Sequence, residues 1–248
     1  MRKLPINKFF DINKLPAEEG ILVFPISMSA ITLSQNAKRY WECVRHFSPD
    51  KIIKPLVGLN FIYGDFLYLN SDEKASSLKN KFMQLITSHK NEFLKIIRKH
   101  PFYIEKAFSF STWNQMYLES KDFTNLFGQL KKIYAKDKKF QQYIQDDLKS
   151  IGKKKLDSNQ LNFFLEEILM SHLIVKGRVV LHNEYVQHHQ KWVLYCYPGK
   201  PLKSQIYLFQ KNFFKFHNQD NAYENAYYDL KAKLLYDFNR VNLETIRL

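Results

Sequence analysis

The chain reads as an α/β protein with a Rossmann-like, predominantly parallel sheet flanked by helices. Short apolar runs such as "ILVFPIS" lack the polar alternation of a half-exposed strand and suit strands buried on both faces. Segments with helical periodicity separate these runs, which is the order of successive βαβ units. The composition, 45% hydrophobic and 16% aromatic, supplies a core of the required size.

The first strand is expected at 21–27. A helix follows over 34–46 in "SQNAKRYWECVRH", with Ser34 as its N-cap. A second strand is expected near 65–70 within "NFIYGDFLYLN". One long helix spans 72–100, capped by Ser71 or Asp72, with acids in its first turn, bases in its last and Pro101 beyond its end. "KAFSFSTW" gives a third strand near 106–113, and 121–151 is helical and highly charged. A helix over 158–175 starts at Asp157 or Ser158. "KGRVVLHN" and "KWVLYCY" are late strands, and "SQIYLFQKNFFKF" is a further strand or an amphipathic segment. No repeat or low-complexity linker divides the chain, so 1–248 is expected to be a single domain.

The formal net charge is +14, from 38 basic and 24 acidic residues. Such an excess captures polyanions and points to nucleic acid as partner. Two cysteines imply no disulfide framework, the N-terminus has no signal-peptide core, and no run approaches the roughly 18 apolar residues of a membrane span. A cytoplasmic protein without a membrane partner is expected. There is no GxxxxGK[ST], GxGxxG, GxSxG, HExxH or CxxC, and only seven glycines occur. His182, His188 and His189 in "HNEYVQHHQ" read better as a solvated loop than as a metal site, so no metal is expected.

Four features could carry chemistry. Ser27 stands at the carboxyl end of the first strand, where open α/β sheets bind ligands, and Ser29 follows. Taken alone, a turn serine is the better reading of either. On the long helix Leu78, Phe82, Leu85, Ile86, Phe93 and Ile96 form an apolar stripe, while Lys74, Lys81, Lys95, Arg98 and Lys99 gather on an adjacent face as a basic ridge, interrupted after the first turn only by Glu92. Glu166 and Glu167 lie within an apolar helix at 100° to each other, with Phe163 one turn before Glu167. Tyr195 and Tyr197 share a strand face just before Pro198.

In order and spacing these pieces resemble the cyclodipeptide synthases, over residues 20 to 205. That family joins two aminoacyl groups taken from aminoacyl-tRNAs into a cyclic dipeptide. The resemblance implies a fold similar to the class I aminoacyl-tRNA synthetase catalytic domain, without its ATP chemistry. "ISMSAITLSQ" is similar to the family's nucleophile pattern with Ser27 as nucleophile. Ala30 and Tyr197-Pro198 look like the family branch with Tyr-Pro in place of Tyr-His. The family's tyrosine one helical turn before the catalytic glutamate has Phe163 in its place, with Glu167 as the glutamate.

The resemblance implies catalytic roles for Ser27, Glu167 and Tyr197. It implies an aminoacyl pocket from Val23, Pro25, Leu67, Leu69, Phe163 and Tyr195, and tRNA docking on Lys74, Lys81, Lys95, Arg98 and Lys99. Aminoacyl-tRNAs are the implied partners of a monomer that needs no cofactor, because the tRNA ester is already activated. The competing classes are a non-catalytic RNA-binding module, a serine hydrolase and a degenerate synthetase. The absence of GxSxG and of HIGH- or KMSKS-like segments counts against the last two.

Overall fold

The computed structural model describes residues 20–28, 30–46, 56–65, 75–100, 108–120, 122–150, 152, 157–176, 192–214, 224–229, 231–232, 234–238 and 241–246. Among them are strands β1 (Gly20–Ile26), β2 (Leu56–Tyr63), β3 (Phe108–Thr112), β4 (Trp192–Tyr197), β5 (Glu224–Asp229) and β6 (Leu234–Asp237). The helices are α1 (Ala37–His46), α2 (Ala75–Ile97), α3 (Trp113–Glu119), α4 (Phe123–Lys136), α5 (Lys138–Ser150), α6 (Ser158–Val175) and α7 (Lys203–Lys211). The strands form one sheet in the order β3-β2-β1-β4-β5-β6, all neighbours parallel except β5 with β6. This is the Rossmann-like, predominantly parallel architecture expected.

Side chains of β1 alternate between two cores, which is why its sequence is a continuous apolar run. Leu22, Phe24 and Ile26 join Tyr40, Trp41 and Val44 of α1 and Phe82, Ile86 and Phe93 of α2. Val23 faces the opposite side, with Leu165, Ile168 and Leu169 of α6 and Ile206 of α7. On the first side Phe24, Phe61 and Phe110 stack across β1, β2 and β3 at centroid separations of 5.1 and 5.3 Å. The α2 stripe Phe82, Ile86 and Phe93 is buried as its periodicity predicts.

Several boundaries differ from the sequence expectation. The α1 helix begins at Ala37 rather than Ser34: Asn36 Oδ1 accepts the Arg39 N–H at 3.1 Å, and Ser34 lies in the preceding turn. β2 occupies Leu56–Tyr63, where no strand was expected, and its ladder with β1 ends at Tyr63; the strand expected near 65–70 falls, past Asp65, outside the described residues. Residues 66–74, with Leu67, Leu69, the proposed caps of α2 and Lys74, lie outside the described residues. So do most of "KGRVVLHN" and the three loop histidines.

The expected helical stretch 121–151 is two helices. The backbone leaves the α4 conformation at Asp137, whose Oδ1 accepts the Lys139 and Phe140 N–H groups, both at 2.9 Å, and starts α5. Asp157 caps α6 through a reciprocal box with Gln160. Of the stretch 204–216, the residues to Lys211 belong to a helix, α7 (Lys203–Lys211), rather than to a strand. Its first N–H groups are taken by the Asp147 carboxylate, and its buried Ile206 and Phe209 pack under the sheet.

Candidate active site

The strand order reverses at β1, with β2 and β3 to one side and β4, β5 and β6 to the other. The crevice outside the carboxyl ends of strands at such a reversal is where open α/β sheets bind ligands. The paired register of β1 with β4 stops at Val23–Tyr195, whereas that of β1 with β2 runs on to Ile26–Tyr63. Two residues past the last β1–β4 rung stands Pro25, which has no N–H for a ladder bond. The strands part there, and Ser27 and Tyr197 emerge at the same edge of the sheet.

Ser27 is half-buried and begins a chain of tight turns. The Ala30 N–H donates to the Ser27 carbonyl at 3.0 Å, and the Gln35 N–H returns to the Ala30 carbonyl at 3.0 Å. The Ser27 N–H donates to Gln35 Oε1, so the far end of the turn holds its start. Gln35 is in turn fixed by His89 of α2, whose Nε2 lies 3.1 Å from the Gln35 carbonyl. A carbonyl only accepts, so Nε2 carries the proton and Nδ1 accepts from the Tyr63 hydroxyl at 2.9 Å. Burial pushes the His89 imidazole down to about 4, against the opposing effect of the bond to Gln35. The ring is therefore neutral, as this bonding pattern requires. The Tyr40 hydroxyl donates to the Pro25 carbonyl at 2.9 Å, and the Gly64 N–H to the Ile26 carbonyl at 2.8 Å. Three consecutive residues leading into the turn are thus each held by a backbone hydrogen bond.

Beside β4 lies a cavity of about 490 Å³. Phe164, Glu167, Ile168 and Ser171 of α6 line one wall, at helical spacing. Tyr195, Tyr197 and the 198–202 loop line another, with Asp147, Gln205 and Tyr227 completing it. Tyr195 and Tyr197 share this face as alternation predicts, while Cys196 points into the opposite core. The Tyr195 hydroxyl is 3.1 Å from Ser171 Oγ. Burial raises the Tyr195 phenol well above its ordinary range, and the charges of Glu167 and Tyr197 add to this, against the Ser171 bond. Tyr195 therefore stays a neutral phenol that can donate or accept a hydrogen bond.

The loop after Tyr197 is pinned at both ends. Gly199, at φ 151°, occupies a conformation side chains disfavour. Its N–H donates to Asp229 Oδ1 at 3.0 Å, and its carbonyl accepts from the Tyr227 hydroxyl at 2.9 Å. At the other end Asp147 accepts the Lys203 and Ser204 N–H groups, both at 2.8 Å, and the Ser204 hydroxyl at 2.6 Å. Burial raises the Asp147 carboxyl to about 6, despite these bonds.

The structure gathers Glu167, Tyr195 and Tyr197 around one cavity. Ser27 stands at the neighbouring strand end and is not part of that lining. Val23 is buried on the same face of the sheet, and Pro25 follows it at the same parity. Phe163 packs at the edge of the core, and the α6 aromatic in the cavity wall is Phe164. Glu166 is half-buried, its carboxyl raised by burial and lowered by Lys131. Lys81, Lys95, Arg98 and Lys99 are all exposed on α2 and just past its end. Ser171, one turn beyond Glu167, was findable by helical spacing; Gln35 was visible only as part of a short motif. Among the described residues no three His, Cys, Asp or Glu side chains gather as a metal site, and no helix is long and apolar enough to cross a membrane.

No protein-family model matches the chain, and no curated protein sequence matches it. Solved structures do. A cyclodipeptide synthase (CDPS) from Fluoribacter dumoffii aligns at a TM-score of 0.53 and 14% identity, covering 84% of this chain and 87% of that one. One from Staphylococcus haemolyticus aligns at 0.49 and 11%, covering 88% of each chain. A Mycobacterium tuberculosis protein, described as demonstrating that cyclodipeptide synthetases are related to type I tRNA synthetases, aligns at 0.48 and 12%, covering 75% and 76%. The likeness to the Fluoribacter structure extends over most of both chains and is a likeness of fold.

Proposed function

We propose that this protein is a tRNA-dependent cyclodipeptide synthase that works through an aminoacyl ester on Ser27. The observation that carries this reading is the placement of Ser27 and Tyr197 at adjacent strand ends of the sheet's reversal point, beside a cavity walled by Glu167 and Tyr195.

In the proposed cycle the Ser27 hydroxyl attacks the ester carbonyl of a first aminoacyl-tRNA. The bond from that carbonyl to the tRNA ribose oxygen breaks, and the serine proton ends on the departing ribose oxygen. Covalent capture divides one difficult transfer into two easier ones. The amine of the Ser27-bound aminoacyl group then attacks the ester of a second aminoacyl-tRNA. A dipeptidyl ester remains on Ser27 and the second tRNA leaves. The new terminal amine closes on the Ser27 ester, and the hydroxyl is regenerated as the ring departs.

Glu167 binds the substrate ammonium in this scheme, and Tyr197 relays the proton as the amine becomes nucleophilic. Phe164 or Phe163 supplies only an apolar wall where the family has a phenol, which leaves Glu167 and the Tyr195–Ser171 hydroxyl pair as polar contacts. The exposed bases of α2 take the tRNA phosphates, a sequence-independent attraction. Ala30 and Tyr197-Pro198 support the Tyr-Pro branch. Expression in a bacterium followed by mass spectrometry of the medium tests the proposal. A new cyclic dipeptide, lost in Ser27→Ala, is the expected result; its persistence in Ser27→Ala would exclude Ser27 as the carrier.

A further inference from the structure

On the α6 side of the sheet, β2 and β3 bury side chains of an unexpected kind. Asn60 is level with Val23 of β1 and with Ser109 of β3; one rung further on, Ile62 is level with Pro25 and with Ser111. Strand parity turns Asn60, Ser109 and Ser111 to the same face as Ile62 and Val23, since Phe61, Phe108 and Phe110 pack in the opposite core. Asn60 and Ser111 are 0% exposed and Ser109 3%. Trp113, which opens α3 just after β3, is 4% exposed and belongs to the same core.

Among the described residues, Asn60 Nδ2 and Oδ1, Ser109 Oγ, Ser111 Oγ and Trp113 Nε1 have no hydrogen-bond partner. Buried polar side chains in folded proteins are nearly always paired, and those that are not call for an explanation. Here Asn60, Ser109 and Ser111 are neighbours on one face of β2 and β3, Trp113 follows β3 in the same core, and all lie towards the strand end that carries Ser27. The group offers donors and acceptors and no charge. The buried charge at this end of the same strands, Asp65, already accepts the Asn114 N–H at 3.2 Å.

Position sets the length of what would reach these groups. Ser111 is level with Pro25, two residues short of Ser27 and two strands away. At the usual strand rise and spacing that is about 7 Å along the sheet and about 10 Å across it. An aminoacyl group esterified to Ser27 spans this only with a long side chain. Serine, threonine and asparagine are too short for Ser111, the nearest of the three strand residues, and Asn60 and Ser109 lie two residues deeper; glutamine and tyrosine are the longer uncharged side chains with a hydrogen-bonding tip. Leucine and phenylalanine would leave the polar atoms unpaired, a discrimination that hydrogen-bonding sites enforce strongly.

We propose that Asn60, Ser109, Ser111 and Trp113 form the specificity floor for the first amino acid, and select a long, uncharged side chain with a hydrogen-bonding tip, of the glutamine or tyrosine kind. This rests on the reading of Ser27 as the acyl carrier. The floor can nevertheless be tested without turnover.

Binding of L-tyrosinamide, L-glutaminamide, L-leucinamide and L-lysinamide to the full chain is measured by calorimetry. Tyrosinamide or glutaminamide should bind at least about tenfold more tightly than leucinamide, the size of one hydrogen bond. That preference should fall by about tenfold in Asn60→Leu and in Ser109→Ala/Ser111→Ala. Apolar replacement of unpaired polar groups is expected to leave the fold intact. Trp113→Phe removes one N–H at nearly constant shape and serves as the conservative check.

Cyclic dipeptides from the same variants should shift from polar towards leucine- or phenylalanine-containing rings. If the amides bind as stated but no acyl-enzyme or ring forms, the floor stands and the enzymatic reading fails. Preference for leucinamide or lysinamide overturns the floor. So does a binding and product spectrum unmoved by all three variants, which would make these groups hosts of structural water alone.

Discussion

At the residue scale, the proposed chemistry depends on how firmly Ser27 is held. Its N–H is tied to Gln35, and Gln35 to the neutral His89. Gln35→Ala removes the side-chain acceptor of the Ser27 N–H. Because small displacements of a nucleophile cost rate more than affinity, kcat should fall about 10- to 100-fold with KM little changed. Gln35→Glu, which keeps the acceptor, should restore much of it; equal loss in both would make Gln35 merely structural. Glu167→Gln should lower kcat/KM by about 10- to 100-fold, the worth of one charged hydrogen bond to an ammonium. Steady-state kinetics with purified aminoacyl-tRNA check both. Strand period put Tyr195 and Tyr197 on one face, and helical period separated Glu166 from Glu167; it was the family resemblance that chose Glu167. Asp147, Gln205 and Tyr227 could not be singled out. They come from segments distant in sequence, α5, α7 and β5, and only tertiary packing brings them to one cavity.

At the scale of elements, the legible ones carry strong local signals. β1 is an unbroken apolar run and α2 has a long apolar stripe. α6 opens with a capping box, so Asp157→Ala should cost about 1 kcal/mol in urea unfolding while leaving activity nearly unchanged. α7 was ambiguous because "SQIYLFQK" reads equally well as strand. Its helical state is settled by a tertiary contact, the Asp147 carboxylate at its N-terminus, which local pattern cannot show. The break at Asp137 likewise depends on a side chain that caps α5 and also accepts from the Tyr207 hydroxyl at 3.0 Å. The strand Leu56–Tyr63 was missed because "NFIYGDFLYLN" is apolar on both sides of Gly64, and periodicity does not say which half pairs with β1. Phe61, stacked between Phe24 and Phe110 and fully buried, is the centre of that sheet face. Phe61→Ala should lower stability by about 3–5 kcal/mol, read from the urea midpoint.

At the scale of the whole molecule, buried titratable groups set the acid side of the stability curve. His89 and His172 are held down to about 4 and about 3 by burial, so the unfolded chain binds their protons first. Their contribution is complete above about 6.5 and is lost as pH falls towards 4 and 3. Asp147 acts in the opposite sense, because its carboxyl is raised to about 6 and the folded state holds that proton more tightly. Its effect declines from below pH 4 upward through 6. Stability should therefore rise between pH 4 and 6.5, and Asp147→Asn should steepen that rise even as it weakens the capping of α7. Urea unfolding across this range measures the slope; a shallower slope in Asp147→Asn would contradict the assignment.

The +14 charge belongs to the same scale. If Lys95, Arg98 and Lys99 each meet a tRNA phosphate, reversing all three should reduce the slope of log kcat/KM against log salt by about 2. The central claim is that Ser27 carries an aminoacyl ester. It is tested most directly by mixing purified protein with charged tRNA, quenching in acid, and mapping peptides by mass. One aminoacyl increment is expected on the peptide containing Ser27, absent in Ser27→Ala. An unmodified Ser27 together with a cyclic dipeptide still released would contradict it.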